Sequence, residues 1–131
     1  MKINYLSTKK IDCHQLQELF RSVKWESGNN LIKLCDAIEK SSTVYSAWDD
    51  EKLVGLINAL DDTSLNVFIP YLVVNPKYQG CGIGSQLVKM IINKYKDYLN
   101  VVLISYKSKS TFYSQFGFEN DHEALAMFLS N

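Results

Sequence analysis

Apolar residues recur three and four positions apart in two early segments of this chain, a spacing that predicts two amphipathic helices. Their apolar positions are Leu16, Leu19, Phe20 and Val23, then Leu31, Leu34, Cys35 and Ile38. A short strand at residues 3–6 precedes them, and Asp12 is the expected N-cap of the first helix. Two helices should therefore come before the main sheet.

Apolar and β-branched runs follow, separated by turn residues. Residues 43–48 and 53–60 flank Asp49-Asp50-Glu51-Lys52 and predict a hairpin, and residues 65–74 predict a third strand. A helix follows the glycines near residue 82. After it come a strand at residues 101–106, a short helix at 110–115 and a last strand at 124–129, which gives the order βααβββαβαβ. We therefore expect one α/β (α+β) domain over residues 1–131, with a mixed, mostly antiparallel sheet and helices on both faces.

Charge and cysteine content exclude several classes of function. Lys plus Arg and Asp plus Glu both number 14 and no basic block stands out, so no nucleic-acid partner is expected. No run of 18 apolar residues and no signal-like N-terminus occurs, which predicts a cytoplasmic protein without a membrane partner. Three cysteines without a Cys-x-x-Cys spacing predict reduced thiols, with neither a disulfide nor a zinc site, and we expect no metal.

The most informative segment lies between residues 73 and 85. A strand-like run ends at a turn opened by Asn75-Pro76, three glycines occur within residues 80–84, and an amphipathic run follows. N–H groups at a helix start lack intrahelical acceptors, and with the helix dipole they can hold a phosphate. The residues match neither a Walker loop nor a Rossmann fingerprint. The segment predicts an anion-binding loop, although a purely structural glycine turn would share the same spacing.

Two motifs resemble those of the Gcn5-related N-acetyltransferase (GNAT) superfamily. Gln79-Gly80-Cys81-Gly82-Ile83-Gly84 is similar to that family's Gln/Arg-x-x-Gly-x-Gly/Ala signature, and Phe112-Tyr113-Ser114-Gln115-Phe116-Gly117-Phe118 looks like its Phe-Tyr-x-x-x-Gly-Phe element. The resemblance implies an acetyl-CoA-dependent N-acetyltransferase with splayed central strands, in which the first motif holds the pyrophosphate. The implied loop residues are Gln79, Gly80, Cys81, Gly82, Ile83, Gly84 and Ser85.

Pro70 interrupts the predicted third strand. Because proline has no N–H to donate, it marks either a bulge or the end of pairing, and the end of an ordinary edge strand is the alternative. The resemblance implies the bulge, followed by a wedge between strands that takes the pantetheine arm of acetyl-CoA. Its backbone contacts would be Leu72, Val73 and Val74.

The same resemblance assigns two catalytic groups. The Leu72 N–H would donate to the oxyanion, and Tyr113 would be the general acid for the departing thiolate. A phenol suits that role because its ordinary pKa of about 10 keeps it protonated at neutral pH. A core aromatic residue of a short helix remains the alternative for Tyr113.

The sequence assigns no general base. The position at which histone-acetylating relatives carry a glutamate is Phe68, and residues 69–73 contain no acid. A water molecule, an amine that arrives neutral, or a carboxylate such as Glu26, Asp61 or Glu119 all remain open. A CoA-binding sensor or interaction module without turnover is therefore the alternative function.

The acceptor would be a small-molecule or protein amine, and the resemblance implies that the first two helices form a wall of its pocket. Trp25 and Glu26 could offer an aromatic face and a carboxylate to a cationic amine, and Tyr71 could line the cleft. Core packing would explain Trp25 and Tyr71 equally well. The sequence also allows a homodimer, with two chains pairing through the C-terminal strand.

Overall fold

A computed structural model describes residues 2–131 of the chain, so the predicted domain, residues 1–131, includes one residue, Met1, outside the described part. The strands are β1 Ile3–Ser7, β2 Thr43–Asp49, β3 Lys52–Asp61, β4 Asn66–Ile69, β5 Leu72–Val74 and β6 Asn100–Leu103. The helices are α1 Cys13–Ser22, α2 Leu31–Glu39, α3 Ile83–Lys94 and α4 Ser110–Ser114. None of these helices is long and apolar enough to cross a membrane.

The six strands form one mixed sheet that carries helices on both faces, which confirms the predicted fold class. The strand order is β1-β2-β3-β4-β6, with β5 also paired to β3, and every pairing is antiparallel except β4 with β6. One core cluster packs α3 against the sheet, and a second packs α1 and α2 against it. Residues 53–59 of β3 are buried throughout because helices cover this strand on both sides.

The predicted third strand is two strands, because a bulge at Pro70 divides it. Leu60 pairs with Phe68 and Ile57 with Leu72, so three steps along β3 correspond to four steps along its partner. One extra residue is therefore accommodated between β4 and β5, as the missing N–H of Pro70 led us to expect. Beyond the bulge β5 stays with β3 but no longer pairs with β6, and a gap opens at that point.

Helix α3 lies directly against β3 because Gly55 leaves room for it. A Cβ atom on Gly55 would approach Ile83 Cγ2 to 2.9 Å and Leu87 Cδ1 to 3.3 Å. Such distances are shorter than ordinary van der Waals contact, so only glycine allows this approach. The position of the N-terminus of α3 is therefore set by a small residue in the central strand.

Two sequence predictions were wrong. Residues 124–129 form no strand and are exposed, because no strand of the chain pairs with them in the described residues 2–131. Cys13 and Cys35 form a disulfide rather than two reduced thiols, and only Cys81 is a free cysteine in that range. The packing of α1 on α2 brings the two Cα atoms to 5.5 Å, a distance that a separation of 22 residues in sequence does not reveal.

Candidate functional site

A cleft of about 600 Å³ lies in the gap between β5 and the segment that follows β6. Its walls come from four parts of the chain: the bulge and β5, the glycine loop with the start of α3, the end of β6 with residues 104–106, and α4. The gap exists because Leu72–Val74 pairs only with β3 after the extra residue at Pro70. The predicted wedge between splayed strands is therefore present, and it opens at the bulge.

The ladder between β3 and β5 determines which backbone groups point into the cleft. The Asn58 N–H donates to the Tyr71 carbonyl at 3.2 Å, and the Asn75 N–H donates to the Val54 carbonyl at 2.9 Å. Because hydrogen-bonding residues alternate along an antiparallel pair, Tyr71, Val73 and Asn75 direct their backbone polar groups to β3. The N–H and C=O groups of Leu72 and Val74 therefore point the opposite way, into the gap, whereas Val73 contributes apolar lining.

The glycine loop presents backbone donors to one end of the cleft. Gly80 and Gly82 have φ values of +83° and +80°, and Gly82 is the N-cap of α3. The Gln86 N–H donates to the Gly82 carbonyl, but within residues 2–131 no acceptor pairs with the N–H groups of residues 80–85. Six successive donors at a helix start, with open space above both glycines, suit a phosphate group.

Three side-chain contacts hold this loop in place. The Tyr78 hydroxyl donates to Asp49 Oδ2 at 2.6 Å, which raises the pKa of Tyr78 and ties the loop to the β2–β3 hairpin. Asn75 Oδ1 accepts from the Lys77 N–H at 3.0 Å, and Gln79 Nε2 donates to the Val74 carbonyl at 3.2 Å. The loop is thereby fixed relative to β5. Cys81 is exposed, and its thiol lies outside the cleft lining.

Tyr113 lines the cleft from α4. Its ring packs edge-on against Phe112 at 5.1 Å and against Phe118 at 6.0 Å between centroids. Burial raises the pKa of the Tyr113 hydroxyl above its ordinary value of 10.0, so the group stays protonated at neutral pH. The aromatic contacts position the ring at the cleft.

The loop after α1 supplies an aromatic wall at the bulge. Trp25 lies at the cleft, 5.8 Å from the ring of Tyr71 and 5.9 Å from that of Phe20 between centroids. Tyr71 packs beside it, and its hydroxyl lies 2.9 Å from Ser27 Oγ. Trp25 thus combines packing with a place on the cleft wall, whereas Tyr71 packs against the core and is not among the described residues that line the cleft. Glu26 points to solvent and does not line the cleft.

The three carboxylates considered as bases all lie away from the cleft lining. Glu26 and Glu119 are exposed, and Asp61 Oδ2 accepts a hydrogen bond from the Tyr95 hydroxyl at 2.7 Å. Among the described residues that line the cleft none is acidic, and Lys109 is the one charged side chain. Within residues 2–131, no group of three His, Cys, Asp or Glu side chains is arranged to hold a metal ion.

Sequence reasoning assigned no role to three residues that build the site. Asn58 is 2% exposed and bonds the backbone of Tyr71 at the bulge. Phe112 packs at the Gly84 surface, where a Cβ would lie 3.5 Å from its ring, and Tyr78 anchors the glycine loop. A lone amide inside the apolar run of β3 was the available signal for Asn58, because buried polar side chains need partners.

A model of the Acetyltransferase (GNAT) domain family matches residues 20–127. Among solved structures, a GNAT-family acetyltransferase from Streptococcus pneumoniae TIGR4 superimposes with a TM-score of 0.86 and 29% sequence identity. The match covers 99% of this chain and 98% of the pneumococcal chain. The two folds therefore correspond over almost the whole of both chains.

Curated relatives from plastid-bearing organisms are longer. The Uncharacterized N-acetyltransferase ycf52 of Gracilaria tenuistipitata var. liui is 31% identical over 128 residues, which cover 92% of this chain and 70% of the relative. GCN5-related N-acetyltransferase 2, chloroplastic, of Arabidopsis thaliana is 29% identical over 146 residues, which cover 95% of this chain and 56% of that protein. The chain thus spans little more than half of the Arabidopsis protein.

Proposed function

Because this chain belongs to the GNAT acetyltransferase family, we propose that it transfers an acetyl group from acetyl-CoA to a primary amine by direct attack in a ternary complex. The cleft at the β5–β6 gap carries this proposal. It combines unpaired loop N–H groups, inward-facing backbone groups of β5 and a protonated tyrosine in one space of about 600 Å³.

The cleft residues suit the chemistry of acetyl-CoA from end to end. N–H groups of residues 80–85 would hold the pyrophosphate, since no described acceptor competes for them. The polar groups of Leu72 and Val74 would bond the pantetheine amides as a neighbouring strand does. Lys109 lies on the wall of the cleft, where its ammonium group would favour a further phosphate.

Two residues would act on the thioester. The Leu72 N–H would stabilise negative charge that develops on the carbonyl oxygen as the amine attacks, because a fixed donor needs no reorganisation. Tyr113 would protonate the sulfur as the C–S bond breaks and the new C–N bond forms, and the proton that the attacking nitrogen releases to solvent would balance the one that Tyr113 regains. The raised pKa of Tyr113 keeps the acid loaded through the neutral range.

The amine would have to lose its proton to water, since none of the described cleft-lining residues is acidic. The free amine is the nucleophile, and its fraction grows tenfold per pH unit below its pKa. We therefore expect log kcat/KM to rise with a slope near 1 across neutral pH and to level off at the pKa of the chosen amine. A plateau that stayed at one pH for amines of different pKa would identify a protein base instead.

Acetyl-CoA binding is the first test, measured by thermal unfolding of the parent and two variants. Ser85→Glu adds a carboxylate at the cleft end of α3, and Gln86→Glu adds the same charge on its exposed side. Both acids suit a helix N-terminus, so both variants should fold. Acetyl-CoA at a hundred times Kd should stabilise the parent by about 2.7 kcal/mol, several degrees in Tm.

The parent and Gln86→Glu should show this shift, and Ser85→Glu should lose it. Equal shifts in Tm for all three proteins would show that the pyrophosphate does not bind at the loop. No shift in the Tm of the parent at millimolar acetyl-CoA would contradict acetyl-CoA as the acetyl donor.

If the parent binds acetyl-CoA, amines are screened for acetyl transfer, with release of free CoA as the readout.

A CoA-binding sensor without turnover is the second candidate, favoured by the lack of a carboxylate on the described cleft wall. The sensor would use the same cofactor site, but its function would not depend on the Tyr113 hydroxyl. A sensor would bind acetyl-CoA with the same Kd before and after Tyr113→Phe and release no CoA with any amine. A catalyst would lose rate in that variant.

A further inference from the structure

The Cys13–Cys35 disulfide closes a loop that contains one wall of the cleft. Among the described residues up to position 68, only Val23 and Trp25 line the cleft, and both lie between the two cysteines. Residues 23–30 are here called the wall segment. The bridge joins the first residue of α1 to α2, so the two helices that flank the wall segment are covalently tied to each other.

The wall segment depends on these two helices for its position. Ser27 Oγ lies 2.9 Å from the Tyr71 hydroxyl, and within residues 2–131 no other hydrogen bond joins the segment to the chain outside α1 and α2. Its other hydrogen bonds run to the helices, such as the one from Gln17 Nε2 to the Gly28 carbonyl at 3.1 Å. The ring of Trp25 adds its contact with Tyr71. The packing of α1 and α2 therefore determines where the segment lies.

Helix α1 is fixed to the sheet without the bridge, whereas α2 relies on α1. Gln15 of α1 donates to the Glu51 carbonyl at 2.7 Å and accepts from the Leu53 N–H at 3.1 Å. The main neighbours of α2 are α1 and residues 26–29, and no side-chain hydrogen bond within residues 2–131 joins α2 to a strand. Apolar side chains keep α2 in the core. Loss of the bridge should therefore loosen α2 and the wall segment without detaching them.

The backbone of the wall segment has a conformation that its neighbours must hold. Lys24, between the two lining residues, has a φ value of +62°, in the left-handed region that disfavours a side chain. Such a conformation persists only while the surrounding structure maintains it. Gly28 packs so closely on α1 that a Cβ there would lie 3.1 Å from Arg21 Cγ. When the two helices loosen, the segment should relax and its lining side chains should move.

The bridge is accessible to thiols, because Cys13 and Cys35 are only half-buried. The reductant is a dithiol. One of its thiolates attacks a bridge sulfur, the S–S bond breaks, and the other cysteine leaves as a thiolate that takes up a proton. The second thiol of the reductant then displaces the first cysteine and closes a cyclic disulfide. Two electrons pass to the protein, and exchange with an oxidised dithiol restores the bridge.

We propose that the Cys13–Cys35 bridge is a redox-sensitive site that controls the acceptor side of the cleft. The bridged protein holds Trp25 in the wall, and the reduced protein binds the amine less tightly because the wall moves. Acetyl-CoA binds equally in both states, since β5 and the glycine loop lie outside the closed loop. The assignment of this wall to the amine rests on the proposed function, whereas the coupling of bridge and wall does not.

Amide hydrogen exchange, measured by mass spectrometry, tests that coupling without a ligand. The parent is labelled in its bridged form and after reduction by dithiothreitol, for times at which residues 87–91 of α3 stay unexchanged, so that only local opening is measured. A phosphine in the acid quench then cleaves any bridge, so both forms give the same peptides. The wall segment should exchange about tenfold faster after reduction. Equal exchange, or an oxidised parent whose peptide map lacks the Cys13–Cys35 link, would overturn the proposal.

Two substitutions separate the bridge from the third thiol. Cys13→Ser should exchange in the wall segment as fast as the reduced parent and should not respond to dithiothreitol. Cys81→Ser keeps the bridge, so its wall segment should respond to dithiothreitol as the parent does. A Cys13→Ser protein that exchanged as slowly as the bridged parent would also overturn the proposal.

Kinetics locate the effect within the cleft. With the amine that gives the highest rate in the screen described above, KM for the amine should rise severalfold on reduction, while the Kd of acetyl-CoA stays constant. A Kd of acetyl-CoA that changed as much as this KM would overturn the assignment to the acceptor side. A parent that acetylates no amine would contradict the proposed function, and the exchange measurement would still decide whether the bridge holds the wall.

Discussion

Asn58 and Tyr71 are bonded through both backbone groups of Tyr71, and one of the two bonds uses a side chain. The Asn58 N–H donates to the Tyr71 carbonyl, while the Tyr71 N–H donates to Asn58 Oδ1 at 3.0 Å. Asn58 Nδ2 in turn donates to Ser41 Oγ at 3.1 Å. The amide side chain therefore replaces the ladder acceptor that the bulge displaces, and it sets the direction of the next residue, Leu72.

Asn58→Leu should lower both stability and rate. The partly buried Tyr71 N–H would lose its acceptor at a cost of about 1–3 kcal/mol. The Leu72 N–H would then no longer be held in its direction, so kcat for acetyl transfer should fall more than tenfold. Urea unfolding measures the loss of stability, and steady-state kinetics measures the fall in kcat. Ser41→Ala, which removes the acceptor of Asn58 Nδ2 and the Ser41 Oγ hydrogen bond to the Ala37 carbonyl but leaves Tyr71 bonded, should cost stability but keep kcat. A fall in kcat of the same size in Ser41→Ala would contradict a positioning role for Asn58.

Tyr113→Phe should reduce kcat by about 10²–10⁴-fold, the usual contribution of general acid catalysis, with little change in acetyl-CoA affinity. Since burial raises the pKa of Tyr113, the parent keeps its acid form beyond pH 10, and loss of that proton should depress the rate only above that value. The pH–rate profile of the variant should lack this decline at alkaline pH. Tyr98→Phe, outside the cleft, is the matched control. An unchanged kcat in Tyr113→Phe would remove the residue from the reaction.

Two glycines near α3 should respond oppositely to alanine. Gly55→Ala forces a Cβ to within 2.9 Å of Ile83 Cγ2 and should destabilise the protein by about 1–3 kcal/mol. In Gly84→Ala the new Cβ meets Phe112 at 3.5 Å, an ordinary contact, and a helical alanine should be neutral or stabilising. Urea unfolding of both variants tests the pair. Equal stability losses would show that α3 does not depend on the small residue in β3.

The disulfide predicts a stability difference between oxidised and reduced protein. The bridge closes a loop between residues 22 positions apart, and such a loop stabilises the folded state by about 3 kcal/mol through the unfolded chain. Urea unfolding with and without dithiothreitol should show that difference in the parent and none in Cys13→Ala. If reductant left the parent unchanged while mass spectrometry reported free thiols, the bridge would contribute nothing.

Much of the site was predictable because its chemistry is local. The glycines of residues 80–84 and the following amphipathic run predicted a loop and a helix N-terminus, and both are present. Pro70 predicted the interruption between β4 and β5, since a residue without an N–H cannot donate a hydrogen bond to any neighbouring strand. The hairpin of β2 and β3 followed from alternating apolar residues around a charged turn. Each signal comes from residues within a few positions of one another.

The sequence by itself determined the order of helices and strands, the loop of free N–H groups and the location of the bulge, because backbone sterics and missing donors act within a few residues. Only the tertiary structure decided which residues far apart in sequence contact each other. The Asn58–Tyr71 bond depends on strand register, and the Cys13–Cys35 bridge depends on how two helices pack. The strand predicted at residues 124–129 was wrong, because a strand forms only where a neighbouring strand pairs with it, and such pairing is decided by tertiary structure.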